Sequence, residues 1–137
     1  MNDCLFCKIV AGEIPVVKVY EDKEFLAFLN ATPVGKGHTL VIPKTHSRNI
    51  LETDDKTLQK LIIIVKKLSN KIKKGLNADG VNIIINNELS AGQIIFHTHI
   101  HIIPRFAGDG LKHWAGKKLQ ETETKIIAEK IKSAIKI

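Results

Sequence analysis

His97-Thr98-His99-Ile100-His101-Ile102-Ile103 is the stretch on which the reading of this chain turns. On an extended strand successive side chains point to opposite faces. His97, His99 and His101 then share one face, while Thr98, Ile100 and Ile102 take the other. Imidazoles in a row can serve as nucleophile, proton carrier and phosphate donor near neutral pH. A lone histidine is more often a satisfied neighbour of the core. Three at spacing two, close to the turn residue Gly92, read as a site. A metal held by all three is awkward: the Cα atoms of His97 and His101 lie about 13 Å apart on a straight strand, and ligand nitrogens must come within about 2.1 Å of the ion. Two ligands from the strand, or one plus outside partners, are feasible. Phosphate chemistry is the better match.

Working outward, Val17–Tyr20, Phe25–Asn30, His38–Ile42 and Val81–Ile85 read as four more strands, and His97–Ile103 is the fifth. Residues 4–11 form a short helix closed by Gly12. Thr53-Asp54-Asp55 supplies an N-cap for a long helix that ends at Gly75, with Leu58, Leu61, Ile62, Val65, Leu68 and Ile72 as its buried stripe. A last helix carries Ile126, Ile127, Ala128, Ile131, Ala134 and Ile135. Strands with interspersed helices predict an α+β fold with an antiparallel sheet. The chain reads as one domain over residues 1–137, with a core at about 4–106 and a C-terminal loop and helix at 107–137.

Composition narrows the function. The 137 residues are 44% apolar and 26% charged, an ordinary globular balance. No run of about 18 apolar residues is present to span a membrane. The start lacks a basic-then-apolar leader, so a cytoplasmic location is expected. The 21 basic and 14 acidic residues give a net charge of +7. Only Arg48 and Arg105 offer the planar fork suited to bases and phosphates, and the lysines concentrate in two amphipathic segments, 56–74 and 112–136. Nucleic acid is therefore not the expected partner, although the charge should draw anionic substrates.

The pair Cys4-x-x-Cys7 holds the only cysteines. A structural disulfide is not expected without a secretion signal. A redox motif would need a βαβ context that is missing. Two half-buried small residues in a short helix is the plain reading.

The His97–Ile103 stretch resembles the signature of the histidine-triad (HIT) family. The likeness extends through Leu5–Pro15, Gly37–Lys44 and Gly92-Gln93, and covers about residues 4–106. It implies a HIT-like fold: a five-stranded antiparallel sheet with a long central helix, a short N-terminal helix and a C-terminal helix. The family's nucleotidyl-transferase branch typically has glutamine at the third position, so His101 points to the hydrolase branch. The resemblance places the nucleophile on His99, a phosphate-oxygen donor on His101 and a supporting hydrogen bond on His38. It assigns Asn86, Gln93 and the backbone of Gly92–Ile95, including Ile94, to the phosphate. Leu5, Phe6, Ile9, Phe28 and Leu29 match the family's base pocket, though apolar side chains also read as ordinary core.

Two positions depart from the family. Asn30 stands where the ribose-binding residue is usually aspartate. An amide offers one acceptor and two donors in place of a carboxylate's acceptors, so weaker or less selective ribose binding is expected. Ile94 stands where many members carry a hydroxyl residue near the leaving group, which removes a proton donor.

Several bacterial members bind zinc through two cysteines and two histidines, so the resemblance implies a structural zinc site on Cys4, Cys7, His46 and His97. It also implies a homodimer in which C-terminal segments lie near the partner's site; Trp114, in that tail, can cover a substrate, pack at an interface or anchor the last helix. The expected activity is hydrolysis of purine nucleoside 5'-monophosphoramidates and related nucleotidyl adducts. The competing expectations are a dinucleoside polyphosphate hydrolase, a nucleotide-binding regulatory protein with little activity, and a zinc-stabilised interaction module.

Overall fold

Five strands pair antiparallel in the spatial order β1-β2-β3-β5-β4 in the computed structural model, which describes residues 3–135. In chain order the elements are α1 (Leu5–Val10), β1 (Lys18–Glu21), β2 (Phe25–Leu29), β3 (Thr39–Pro43), α2 (Asp55–Gly75), β4 (Gly80–Ile84), a 3₁₀ turn (Leu89–Ala91), β5 (Ile100–Arg105) and α3 (Glu121–Ala134). This is the α+β fold expected from the pattern. Lys136, counted with the basic tail, lies outside the described residues.

Alternation along the central strands sorts their side chains onto two faces. Phe25, Ala27, Val41, Ile100 and Ile102 pack against Leu61 and Val65 of α2. Leu26, Phe28, Leu40 and Ile42 pack on the other face against Phe6 and Ile9 of α1. Register carries His101 onto that second face, because Leu40 lies opposite His101 and Val41 opposite Ile100. α2 begins where the Asp54 side chain accepts from the Thr57 amide at 3.0 Å.

Two expectations are corrected. β5 starts at Ile100, not His97, because the Thr98 amide donates to the Ser47 carbonyl at 2.9 Å instead of joining the ladder. The strand also runs through Pro104, which lies opposite Val81. Ile62 is exposed, since one residue beyond Leu61 turns it about 100° round α2; Ile64 joins the packed face instead. No residue of α3 is buried in the single chain.

Candidate active site and metal cluster

The three histidines divide between two settings. His99 and His101 line a cavity of about 440 Å³ on the α1 face, within the range of small-molecule sites. Leu5, Phe6, Ile9, Phe28 and Leu29 line its apolar part, and Asn30 and Gly92 stand at its polar part. All five predicted apolar residues are therefore brought together. Phe6, Ile9 and Phe28 also belong to the core, whereas Leu5 and Leu29 are exposed at the rim. Ile14, Val16 and Leu40 also line the wall and were given no site role in the sequence, although Leu40 shares the face of Phe28 by strand alternation, and Ile95, expected at the phosphate through its backbone, lines it too.

Hydrogen bonds fix the tautomer of each ring. The Nδ1 of His99 lies 2.7 Å from the His97 carbonyl, which can only accept, so Nδ1 carries the proton and Nε2 keeps its lone pair. A relay sets the next two. The Val34 amide donates to Nδ1 of His38 at 3.1 Å, so His38 donates from Nε2 to Nδ1 of His101 at 2.9 Å. His101 is left with an N–H at Nε2. The site thus pairs one imidazole acceptor with one imidazole donor. Burial lowers the pKa of His99 and of His38. His101 is pushed down to about 4 by burial first, and then by the neighbouring His99 and His38. Burial therefore favours the neutral form of all three rings.

The 3₁₀ turn brings a backbone cradle to the cavity mouth. Gly92 adopts φ +95°, a conformation strained for any side chain, and the Asn86 amide packs beside it. The amides of Gly92 and Gln93 are used within the turn, on the carbonyls of Leu89 and Glu88. The amides of Ile94 and Ile95 have no acceptor among the described residues and are free to meet an anion.

Gln93 is corrected. Its side chain is buried, with its amide nitrogen donating to the carbonyls of Arg48 (2.7 Å) and Ile95 (3.1 Å). Its oxygen accepts from Asn49 Nδ2 (3.1 Å) and the Glu88 amide (2.8 Å). All four positions are filled, so this side chain braces the turn and does not reach a phosphate. Arg48 stacks over Phe96 and clasps the Glu88 carboxylate at 2.7 and 2.9 Å, which draws the Glu88 carboxyl down to about 2. Partners some 40 residues away gave the sequence no local signal for this brace.

Asn30 Oδ1 accepts from the Thr32 amide at 2.9 Å, so its Nδ2 is directed to His38 Nε2 at 3.4 Å. Both of those groups are donors in the relay, so this pair is a contact and not a hydrogen bond. Ile94 is 77% exposed at the mouth and offers no side-chain proton.

His97 belongs to a different cluster. Its Nε2 lies 2.7 Å from the Pro43 carbonyl and so carries the proton, which turns the Nδ1 lone pair toward Cys4 Sγ (3.4 Å), Cys7 Sγ (3.6 Å) and His46 Nδ1 (3.2 Å). Cys7 Sγ also stands 3.4 Å from His46 Nδ1. The four atoms lie within 4.8 Å of one another and could hold a metal ion. A tetrahedron with bonds of about 2.0–2.3 Å has edges of roughly 3.3–3.8 Å, close to these separations. Burial, then the neighbouring Cys4, pushes the Cys7 thiol up to about 11. A dication would displace such protons on binding.

Residues 11–108 match the HIT domain. The chain belongs to the HIT family. A crystal structure of a HIT family member from Bacillus subtilis superposes with a TM-score of 0.88 at 40% identity, covering 98% of this chain and 99% of that one. An Arabidopsis thaliana protein named adenylylsulfatase HINT3 is 44% identical over 93% of this chain and 64% of its own length. The zinc-bound histidine triad family protein of Mycobacterium smegmatis is 36% identical, with a TM-score of 0.77 over 98% of this chain and 99% of that one. The HIT fold expected from the triad is thereby established, and its neighbours include a member that carries zinc. Among the described residues, no helix of this HIT protein is long and apolar enough to cross a membrane.

Proposed function

We propose that this HIT protein hydrolyses purine nucleoside 5'-monophosphoramidates and related nucleotidyl adducts through a covalent intermediate on His99. The observation that carries the reading is the His99 ring. Its Nδ1–H is held by the His97 carbonyl, and its only remaining nitrogen is an unprotonated Nε2 on a residue that lines the cavity. Simple binding does not call for a nucleophile fixed in its reactive tautomer. The base rests among Leu5, Phe6, Ile9, Phe28 and Leu29. The ribose meets Asn30, and the α-phosphate meets His101 Nε2–H and the amides of Ile94 and Ile95.

In the first step His99 Nε2 forms a bond to phosphorus while the bond from phosphorus to the leaving nitrogen breaks, and the departing amine takes a proton. In the second step the oxygen of water forms a bond to phosphorus and the bond to His99 breaks. Nucleoside monophosphate leaves, and the proton given up by water replaces the one taken by the amine. With Ile94 at the mouth, the first proton comes from water and not from a side-chain hydroxyl there. Donors fixed in advance stabilise charge as it gathers on the phosphoryl oxygens. The similarity to an adenylylsulfatase supports including sulfate adducts among the substrates.

The metal is zinc in this reading, held by Cys4, Cys7, His46 and His97. It would supply a closed structural crosslink between α1 and the sheet, with no open position for substrate. The zinc-bound relative and the donor set support it. We also place the protein in the cytoplasm as a homodimer. Ile62 and Ile63 on α2, Ile83 and Ile84 on the edge strand β4, and the uncovered stripe of α3 support a partner copy.

Mixing the protein with an adenosine 5'-phosphoramidate and looking for a nucleotidyl adduct by mass spectrometry or 31P resonance tests the chemistry. An adduct on His99, with faster turnover of P–N than of P–O–P substrates, is expected. No adduct and no turnover would leave only a binding protein.

A further inference from the structure

The two settings of the triad share covalent and packed elements, and these tie the metal cluster to the nucleotide cavity. α1 carries Cys7, with Cys4 as its N-cap, for the cluster, and it carries Leu5, Phe6 and Ile9 for the cavity wall. The Phe6 ring sits edge-on to both His97 (5.9 Å between centroids) and His99 (5.1 Å). His97 offers its ring to the cluster, while its own carbonyl holds the His99 proton at 2.7 Å. A third connection runs through the loop after β3. His46 faces the thiols, and two residues later the Arg48 carbonyl accepts from Gln93, the brace of the phosphate turn.

We infer that metal and nucleotide bind cooperatively, because occupying Cys4, Cys7, His46 and His97 fixes the helix, the carbonyl and the turn that build the nucleotide site. The inference rests on the proposed nucleotide reading of the cavity and adds a regulation to it. An ion drawing four ligands together selects one placement of α1 and one orientation of the His97 peptide. A nucleotide filling the cavity selects the same arrangement from its other side. Two ligands that favour one conformation must strengthen each other by the same factor. With six residues, α1 is too short to be stable alone. Its Cys4 cap, accepting from the Cys7 amide at 3.3 Å, is itself a cluster member.

The test uses the full chain and two reciprocal binding measurements, neither of which needs turnover. AMP is titrated calorimetrically into zinc-loaded and chelator-stripped protein. Separately, loss of Co²⁺ from cobalt-loaded protein to a competing chelator is followed by its visible thiolate bands, with and without saturating AMP. Expected is AMP binding at least about fivefold tighter to the loaded form, with AMP raising metal affinity by a matching factor. The cobalt measurement starts from loaded, folded protein, so it stands even if stripping unfolds the chain. Tight AMP binding with unchanged metal affinity overturns the coupling and leaves the proposed function intact. No AMP binding to loaded protein overturns both.

Discussion

His97 and His99 are two residues apart and their rings both touch Phe6, yet they hold opposite tautomers for opposite ends. His97 carries its proton on Nε2, against the Pro43 carbonyl, and turns Nδ1 toward two thiols and His46. His99 carries its proton on Nδ1, against the His97 carbonyl, and keeps Nε2 for the cavity. Residue type and spacing are the same in both. The neighbouring carbonyl decides which nitrogen is left facing the thiols and which is left for the cavity. Substitutions that separate the two ends sharpen the contrast, and a change at His99 that also removed the metal would break it.

The largest separation is expected from His99→Ala. Turnover should fall by about 10³-fold or more, while AMP still binds. Zinc content, measured by elemental analysis, should stay the same because His99 is not a cluster member. Metal lost along with activity would mean that the two ends are one site.

The opposite experiment replaces both thiols, Cys4→Ser with Cys7→Ser. Metal should be lost, and with it the tie between α1 and the sheet. A loss of even ~3 kcal/mol would lower Tm by about 10 °C in a domain of this size. Thermal unfolding followed by circular dichroism, with zinc and with chelator, checks it. Wild-type protein should lose most of that margin when chelated, and the double variant nothing further. Equal melting of all four samples would show that the cluster does no structural work.

Between the two ends lies the brace, and Gln93→Leu addresses it. The change keeps approximate size but leaves the Glu88 amide and the Arg48 and Ile95 carbonyls without their partner, while Asn49 Nδ2 keeps only its bond to Glu88 Oε2. Unpaired buried groups cost about 1–3 kcal/mol each, and partial relaxation toward water should hold the total near ~3 kcal/mol. Urea unfolding gives the stability. A turn that moves should also reduce kcat more than AMP affinity, because the Ile94 and Ile95 amides meet the charge that gathers on the phosphoryl oxygens in the transition state, while Leu5, Phe6, Ile9, Phe28 and Leu29 keep their places around the base. Unchanged stability would mean that the buried amide is not a brace.

The fold was legible because local pattern and tertiary environment agree. The alternation in Phe25–Leu29 and Thr39–Ile42 divides between two cores, and the 3.6-residue stripe of Leu58, Leu61, Val65 and Leu68 lies on the sheet. Reading stopped where partners are distant in sequence. Thr98 bonds to Ser47 and Thr53 and so delays β5, and Gln93 bonds to Arg48 and Asn49 and so leaves the phosphate. The stripe on α3 is legible as a pattern, but periodicity cannot say which surface it meets. The two duties of the histidines followed from resemblance; strand spacing alone assigned them one common face.

Asn30 gives the smallest expected effect and bears on the cavity end alone. Its Oδ1 is engaged by the Thr32 amide, so only Nδ2 is left toward His38 and the ribose position, and Nδ2 is a donor. Asn30→Asp would keep one oxygen on Thr32 and put an acceptor where a donor now stands. That acceptor can take a ribose hydroxyl, and it stands beside the His38 Nε2–H that is donated to His101. A hydrogen bond to a charged acceptor exceeds a neutral one by about 1 kcal/mol, so AMP should bind about fivefold more tightly. The gain should shrink for 2'-deoxy-AMP, which presents one hydroxyl fewer. Calorimetric titration of both nucleotides decides the matter. Equal gains for the two would trace the effect to His38 and the relay, and no gain for either would remove Asn30 from the ribose site.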